Sequence, residues 1–88
     1  MKIKGEFVLR EIAGDFILVP VGQTALNING MITLDPVAAL IWKGLESEQD
    51  PPAILNEILD RFEVTEEIAR KDLDDFIKQL ESLNLLEN

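Results

Sequence analysis

Carboxylates are the residues of this 88-residue chain with the most potential for chemistry. Adjacent pairs occur at Glu66-Glu67 and Asp74-Asp75, and paired carboxylates can serve as general acid and base. Neighbouring residues on a helix diverge by about 100°, so neither pair converges on one substrate. The sequence contains no cysteine and no histidine, which excludes a thiol nucleophile, a histidine base and a thiolate or imidazole zinc site. We therefore expect a protein that is not an enzyme and binds no metal or other cofactor.

The charge of the chain is distributed unevenly. Residues 1–45 carry four acidic and four basic side chains, whereas residues 46–88 carry thirteen acidic and four basic ones, which together give the net charge of −9. Phosphate contacts need clustered Lys and Arg, so we expect no nucleic-acid partner. The N-terminal "MKIKGEFVLR" lacks the apolar segment of a signal peptide, and no run approaches the ~20 apolar residues of a membrane span. We expect a cytoplasmic protein without a membrane partner.

Strand patterns fill the first third of the chain. The segments "FVLREIAG" and "DFILVPV", separated by a turn at Gly14-Asp15, predict an antiparallel hairpin. Pro20 cannot donate to a ladder and is expected at an edge or a strand end. Asn29-Gly30, between "TALNIN" and "MITLD", is a strong hairpin signal and predicts a second hairpin of uncertain register. The strand after this turn would span only residues 31–34.

From Asp35 onward the apolar period changes from about 2 to about 3.6, which predicts three helices. Asp35, Asp50 and Thr65 are suitable N-caps, and proline follows the first two at the position where a missing N–H costs nothing. The apolar stripes of the three helices are, in order, Val37, Leu40, Ile41 and Leu45 with Trp42 at the border; Ile54, Leu55, Ile58, Leu59 and Phe62; and Ala69, Leu73, Phe76, Ile77, Leu80 and Leu83. We expect one domain over residues 1–88, an α+β winged-helix-turn-helix-like fold with a small N-terminal antiparallel sheet of one or two hairpins followed by three helices.

A winged-helix arrangement raises the alternative of a DNA-binding transcriptional regulator. The helix that would read DNA, residues 65–84, carries six acidic side chains against Arg70, Lys71 and Lys78. A base-reading helix is normally flanked by cations. The charge of this helix therefore argues against DNA binding.

A second alternative is peptide binding at a sheet edge. A short edge strand leaves N–H and C=O groups to which an extended peptide can add as one more strand. If residues 31–34 lie beside the last helix, strand and helix make a groove. The sequence does not decide which flank of that helix faces the strand. It is either the side with Leu73 and Ile77 or the side with Asp72 and Leu83. Simple packing in the core explains the same apolar pattern.

Three segments in their order resemble the PqqD-like family, whose members are also called RiPP recognition elements. They are "NGMITL" leading into a helix with "IW", "RFEV", which is similar to a family Y-x-V pattern, and "D-x-x-x-F-I-x-x-L" ending in "LL". The resemblance covers essentially the whole chain. Asp35 replaces an expected Asn, Phe62 a frequent Tyr, and Asn84 a frequent Gly, but each substitute can keep the cap or the packing.

The resemblance implies three antiparallel strands, three helices and a role in natural-product biosynthesis. Such a domain binds the leader segment of a ribosomally made precursor peptide and presents it to a tailoring enzyme, often a radical S-adenosylmethionine enzyme. In the family that the chain resembles, the leader adds as a strand beside the third strand and packs against the last helix. The positions implied here are Met31, Ile32, Thr33, Leu34, Ala69, Asp72, Leu73, Phe76 and Ile77. A monomer or a homodimer is expected, and a subunit docked permanently on a larger enzyme is a third alternative.

Overall fold

The computed structural model describes residues 1–28 and 30–87, so Asn29 of the predicted Asn29-Gly30 turn lies outside the described residues. The elements in chain order are β1 (Lys2–Ile3), β2 (Phe7–Ile12), β3 (Asp15–Pro20), α1 (Thr24–Asn27), β4 (Ile32–Leu34), α2 (Pro36–Glu46), α3 (Pro51–Arg61), α4 (Glu66–Ser82) and β5 (Leu86–Glu87). Strands β2, β3 and β4 form an antiparallel sheet in that order. The predicted architecture of a three-stranded sheet followed by three long helices is confirmed.

The first hairpin forms, with its turn one residue earlier than predicted. Strands β2 and β3 pair along their full length, from Phe7 opposite Pro20 to Ile12 opposite Asp15. The loop is therefore residues 13–14, whose φ angles of 53° and 85° are the positive values that a type I′ turn requires. Pro20 ends β3, as its missing N–H predicts.

The predicted second hairpin is wrong. Its first strand is replaced by the short helix α1, in which the buried Thr24 accepts a hydrogen bond through Oγ1 from the backbone N–H of Glu6 at 2.7 Å. This contact joins α1 to the segment that leads into β2. Strand β4 instead pairs with β3, placing Ile32 opposite Leu18 and starting one residue later than the predicted strand at Met31.

The helices begin at the predicted caps. Asp35 accepts the N–H of Ala38 through Oδ1 at 2.8 Å, and Thr65 accepts the N–H of Ile68 through Oγ1 at 3.2 Å. Asp50 occupies the N-cap of α3, although its side chain makes no capping hydrogen bond within the described residues. Local sequence therefore sets where each long helix starts.

The end of α4 is closed by a Schellman motif. Asn84 has a φ of 59°, the left-handed conformation expected when Asn replaces Gly at this position. The N–H of Leu85 donates to the carbonyl of Leu80 at 2.9 Å, and Leu85 is buried. The next two residues form β5, which pairs with β1 and joins the two ends of the chain. No sequence pattern predicted this two-residue pairing.

One apolar core lies between the sheet and the helices. Its buried members are Leu18, Leu34, Ala39, Ile41, Trp42, Leu45, Ile54, Leu55, Ile58, Ala69, Leu73, Phe76, Leu80 and Leu85. Trp42, predicted at the border of its helical stripe, is only 1% exposed. Its ring meets Phe7 of β2 edge-to-face at a centroid distance of 5.2 Å, so the start of the sheet covers the side of α2 that the helical pattern alone left open.

Candidate functional site

Strand β4 forms one edge of the three-stranded sheet, since its described pairing is with β3 alone. Its side chains alternate as the pleat requires. Leu34 is buried and Ile32 half-buried, both packed with the core, whereas Thr33 is exposed. Met31, just before the strand, is 66% exposed. The predicted edge strand is therefore present, in a form shortened by one residue.

The hydrogen-bond pattern of the first hairpin determines which backbone groups of β3 face β4. A two-residue turn makes the closing pair of Ile12 and Asp15 a hydrogen-bonded pair, and such pairs alternate along an antiparallel ladder. The N–H of Val21 donates to the carbonyl of Glu6 at 3.0 Å, which extends the same alternation beyond the strand. The odd-numbered residues of β3 thus bond to β2, and the even-numbered ones face β4.

It follows that Thr33 presents its backbone to the open edge. Phe16 and Leu18 are the even-numbered partners of Leu34 and Ile32, so these two residues of β4 bond to β3. Thr33 lies opposite Ile17 in a pair that is not hydrogen-bonded. Its N–H and C=O therefore both point away from the sheet. They are the groups that one additional strand would bond.

A groove runs between this edge and α4. Its volume is about 230 Å³, and its lining includes Thr33, Leu34, Ile41, Asp72, Asp75 and Phe76. Pockets for whole small molecules occupy about 300 to 1,000 Å³, so this groove is better sized for individual side chains of a longer ligand. An extended peptide bonded to Thr33 would lie along it.

The groove has an apolar floor and an acidic rim. Leu34, Ile41 and Phe76 are 5%, 1% and 6% exposed and form the floor. The charged residues of the lining are all aspartates, namely Asp35, Asp72 and Asp75. Such a surface accepts an apolar side chain and attracts a cationic one.

The three aspartates differ in their partners. Asp35 caps α2, as described above, whereas Asp75 accepts a hydrogen bond from Lys71 Nζ at 2.7 Å. This hydrogen bond lowers the pKa of Asp75 below its ordinary value and raises the pKa of Lys71. Asp72 is half-buried and has no cation within 4 Å among residues 1–28 and 30–87.

The flank of α4 that faces β4 is the Asp72 side. Asp72 and Phe76 line the groove with Thr33 and Leu34, so four of the predicted site residues lie together. Leu73 points to the opposite side, where it lines a separate depression against α3. The other predicted members have different positions: Ala69 is fully buried, and Ile77 is half-buried against the core. Leu83, grouped with Asp72 from the sequence, is 50% exposed and lies outside the groove lining.

Sequence reasoning missed the contribution of α2 and part of that of α4. Asp35 and Ile41 belong to the α2 side of the groove, and no local pattern marks them. On α4 a signal does exist. Asp72, Asp75 and Phe76 are followed by Gln79, which gives the spacing i, i+3, i+4, i+7 of one helical face. Because this face mixes acidic, polar and aromatic side chains, it has no apolar periodicity that would mark it in the sequence.

Two of the three basic side chains on α4 are bound by acidic neighbours on the same helix. Arg70 Nε lies 2.9 Å from Glu66 Oε2, and Lys71 is held by Asp75. The helix therefore offers no cluster of cations for phosphates in the described part of the chain. Within the same residues, no group of three acidic side chains is arranged to hold a metal ion, and none of the helices is long and apolar enough to traverse a bilayer.

Comparison with known proteins decides the family. The model of the family described as coenzyme PQQ synthesis protein D (PqqD) matches residues 16–86. This chain belongs to the PqqD family. The matched residues of this PqqD-family protein run from β3 into β5, so they include β4, α2, α4 and the whole lining of the groove.

A solved structure is similar to the PqqD-family chain over its full length. It is described as TbiB1 in complex with the TbiA(beta) leader peptide, with a TM-score of 0.75 and 28% sequence identity. The similarity covers 100% of this chain and 96% of that one. Among curated proteins, none matches the chain.

Proposed function

We propose that this PqqD-family protein is a non-catalytic adaptor that binds the leader segment of a ribosomally made precursor peptide. The leader adds as a strand to β4, and the adaptor presents the precursor to a tailoring enzyme such as a radical S-adenosylmethionine enzyme. The observation that carries the proposal is the open backbone of Thr33 beside a groove of side-chain size. The likeness to TbiB1, whose structure contains a leader peptide, supports it.

The predicted site residues then take different parts. Thr33 offers its N–H and C=O to the leader, and the exposed Met31 lies where the added strand would extend. Because side chains alternate along a strand, every second leader residue enters the groove and contacts Leu34, Phe76 or Asp72. The other four predicted residues contribute indirectly, because they pack in or against the core and so hold β4 and α4 at a fixed separation. They are Ile32, Ala69, Leu73 and Ile77.

The expected affinity suits a protein that must release the bound precursor to a tailoring enzyme. Two to four leader side chains would each contribute roughly 1.5 to 3 kcal/mol on burial. Association costs about 4 kcal/mol or more. At the upper end of this range, with the strand hydrogen bonds included, the net value is about −8 kcal/mol, which corresponds to micromolar binding. Binding of this strength is reversible.

The test is an NMR titration of the isotope-labelled protein with the leader segment of a precursor encoded beside its gene. The amide resonances of Met31 to Leu34 and of the α4 face around Asp72 and Phe76 should shift. A scrambled peptide of the same composition is the control. Absence of any shift with every neighbouring leader contradicts the proposal, and shifts confined to β2 would place the peptide at the opposite edge of the sheet.

A further inference from the structure

We propose that Asp72 and Asp75 make the groove selective for leader segments that carry Lys or Arg next to an apolar side chain on the groove-facing side. This inference rests on the proposed function, because it specifies which peptides the edge of β4 accepts. It assigns to the two aspartates a role in specificity that is separate from strand pairing. The pairing at Thr33 provides affinity for any extended backbone.

The carboxylates of the groove are not equivalent, and this difference identifies the two that act. Asp35 is engaged as the N-cap of α2, where its Oδ1 accepts the N–H of Ala38. Asp72 is half-buried and forms no ion pair within 4 Å in the described chain, although its charge contributes to raising the pKa of the adjacent Lys71. Asp75 is bound by Lys71 and also lies near the charge of Lys78, which helps to lower its pKa; the side chain of Lys71 is exposed and flexible. A ligand cation can therefore form an ion pair with Asp72, which has none in the described chain, and compete with Lys71 for Asp75.

The spacing of the groove matches the repeat of a strand. Asp72 and Phe76 are one helical turn apart, which is about 6 Å along α4. Side chains two residues apart in an extended peptide are separated by about 6.6 Å and lie on the same face. A basic residue opposite Asp72 therefore places a second side chain, two positions away, over the apolar floor of Leu34, Ile41 and Phe76. The pattern recognised is apolar-x-basic in either direction.

The same carboxylates discriminate against acidic peptides. The charged residues lining the groove are all acidic, so an Asp or Glu entering it meets repulsion without a compensating cation in the lining. A like-charge contact of this kind selects against a wrong partner. The net charge of −9 also favours approach of cationic peptides in general. The local effect must therefore be separated from this general one.

The experiment is a selection from a display library of random ten-residue peptides against four versions of the full chain. These are the unmodified protein, Asp72→Asn with Asp75→Asn, the matched pair Asp74→Asn with Glu81→Gln, and Thr33→Pro. The matched pair also removes two negative charges from α4, but at exposed positions outside the groove lining. Thr33→Pro removes the N–H proposed to pair with the peptide. Urea unfolding followed by Trp42 fluorescence verifies that each variant is folded.

We expect the unmodified protein to enrich apolar-x-Lys and apolar-x-Arg peptides over Thr33→Pro. In the double variant Asp72→Asn with Asp75→Asn, here called the groove pair, the enrichment of basic peptides should fall by about twofold to fivefold for each removed charge, as for other partly exposed ion pairs. The matched pair should keep the enrichment of the unmodified protein. An equal loss in both pairs, or a basic preference that persists in the groove pair, overturns the inference. Enriched peptides without basic residues overturn it as well and leave the adaptor function intact. If no peptide is enriched over Thr33→Pro, the adaptor function itself fails.

Discussion

Replacing Thr33 by proline tests strand addition with little effect on the fold. The N–H of Thr33 points to the open edge of β4, so its loss removes no bond of the ladder with β3. The proline ring would project into the space that the leader backbone occupies. The preceding residue, Ile32, is already extended, which is the conformation that a following proline favours.

The magnitude follows from the groups removed. Loss of one intermolecular hydrogen bond costs about 0.5 to 1.5 kcal/mol, and the ring prevents the leader backbone from approaching closely enough for the adjacent bond. We expect the dissociation constant to rise at least about tenfold, which corresponds to about 1.4 kcal/mol. The free energy of unfolding should change by less than about 1 kcal/mol, since a proline at an edge position is compatible with a strand.

The sheet provides a matched control on its other edge. Glu11 of β2 lies opposite Phe16 in a pair that is not hydrogen-bonded, so its N–H also points outward. Glu11→Pro should leave leader affinity unchanged. Isothermal titration calorimetry gives the affinities, and urea unfolding followed by the fluorescence of the single Trp gives the stabilities. Equal loss of affinity in both variants, or unchanged affinity in Thr33→Pro, would refute the assignment of β4 as the docking strand.

Three further predictions concern stability and titration. Asp35→Ala should lower the free energy of unfolding by about 1 kcal/mol in urea, because α2 loses its side-chain cap. Gly44→Ala would place a Cβ 2.7 Å from Ile54 Cγ1; the overpacking outweighs the gain in helix propensity, so a net loss of about 1 kcal/mol and a lower melting temperature are expected. The pKa of Asp75, lowered by the hydrogen bond from Lys71, should return upward in Lys71→Met when followed by NMR. The pKa of Asp75 is lower in the folded protein than in the unfolded chain. Ionised Asp75 therefore stabilises the fold at pH values above the unfolded pKa, and this stabilisation is lost as the pH falls through the folded pKa.

Features controlled by neighbouring residues could be predicted from the sequence. The caps at Asp35 and Thr65 and the left-handed Asn84 depend on side chains and backbone angles within one helical turn. The first hairpin likewise follows from two segments rich in strand-forming residues on either side of a Gly. The turn lies at residues 13–14, one residue before the predicted Gly14-Asp15. The reason is that Ala13 adopts a positive φ of 53°, a conformation more typical of Gly or Asn.

Features that depend on distant partners could not be predicted. Thr24 starts a helix instead of a strand, and its hydroxyl is bound by Glu6, eighteen positions away. The pairing of β1 with β5 joins the two ends of the chain through two residues on each side, too few for any periodic signal. Trp42 is buried because Phe7 packs against it from the sheet.

The sequence by itself determined the family resemblance, the three long helices and a short strand between a turn signal and a helix cap. Only the tertiary structure decided how α4 is rotated about its axis, because its apolar arc of about 120° permits several orientations. Packing against α3 turns Leu73 away from β4 and brings Asp72, Asp75 and Phe76 toward Thr33. The acidic groove exists because the helix that completes the core also presents its polar border to the open edge of the sheet.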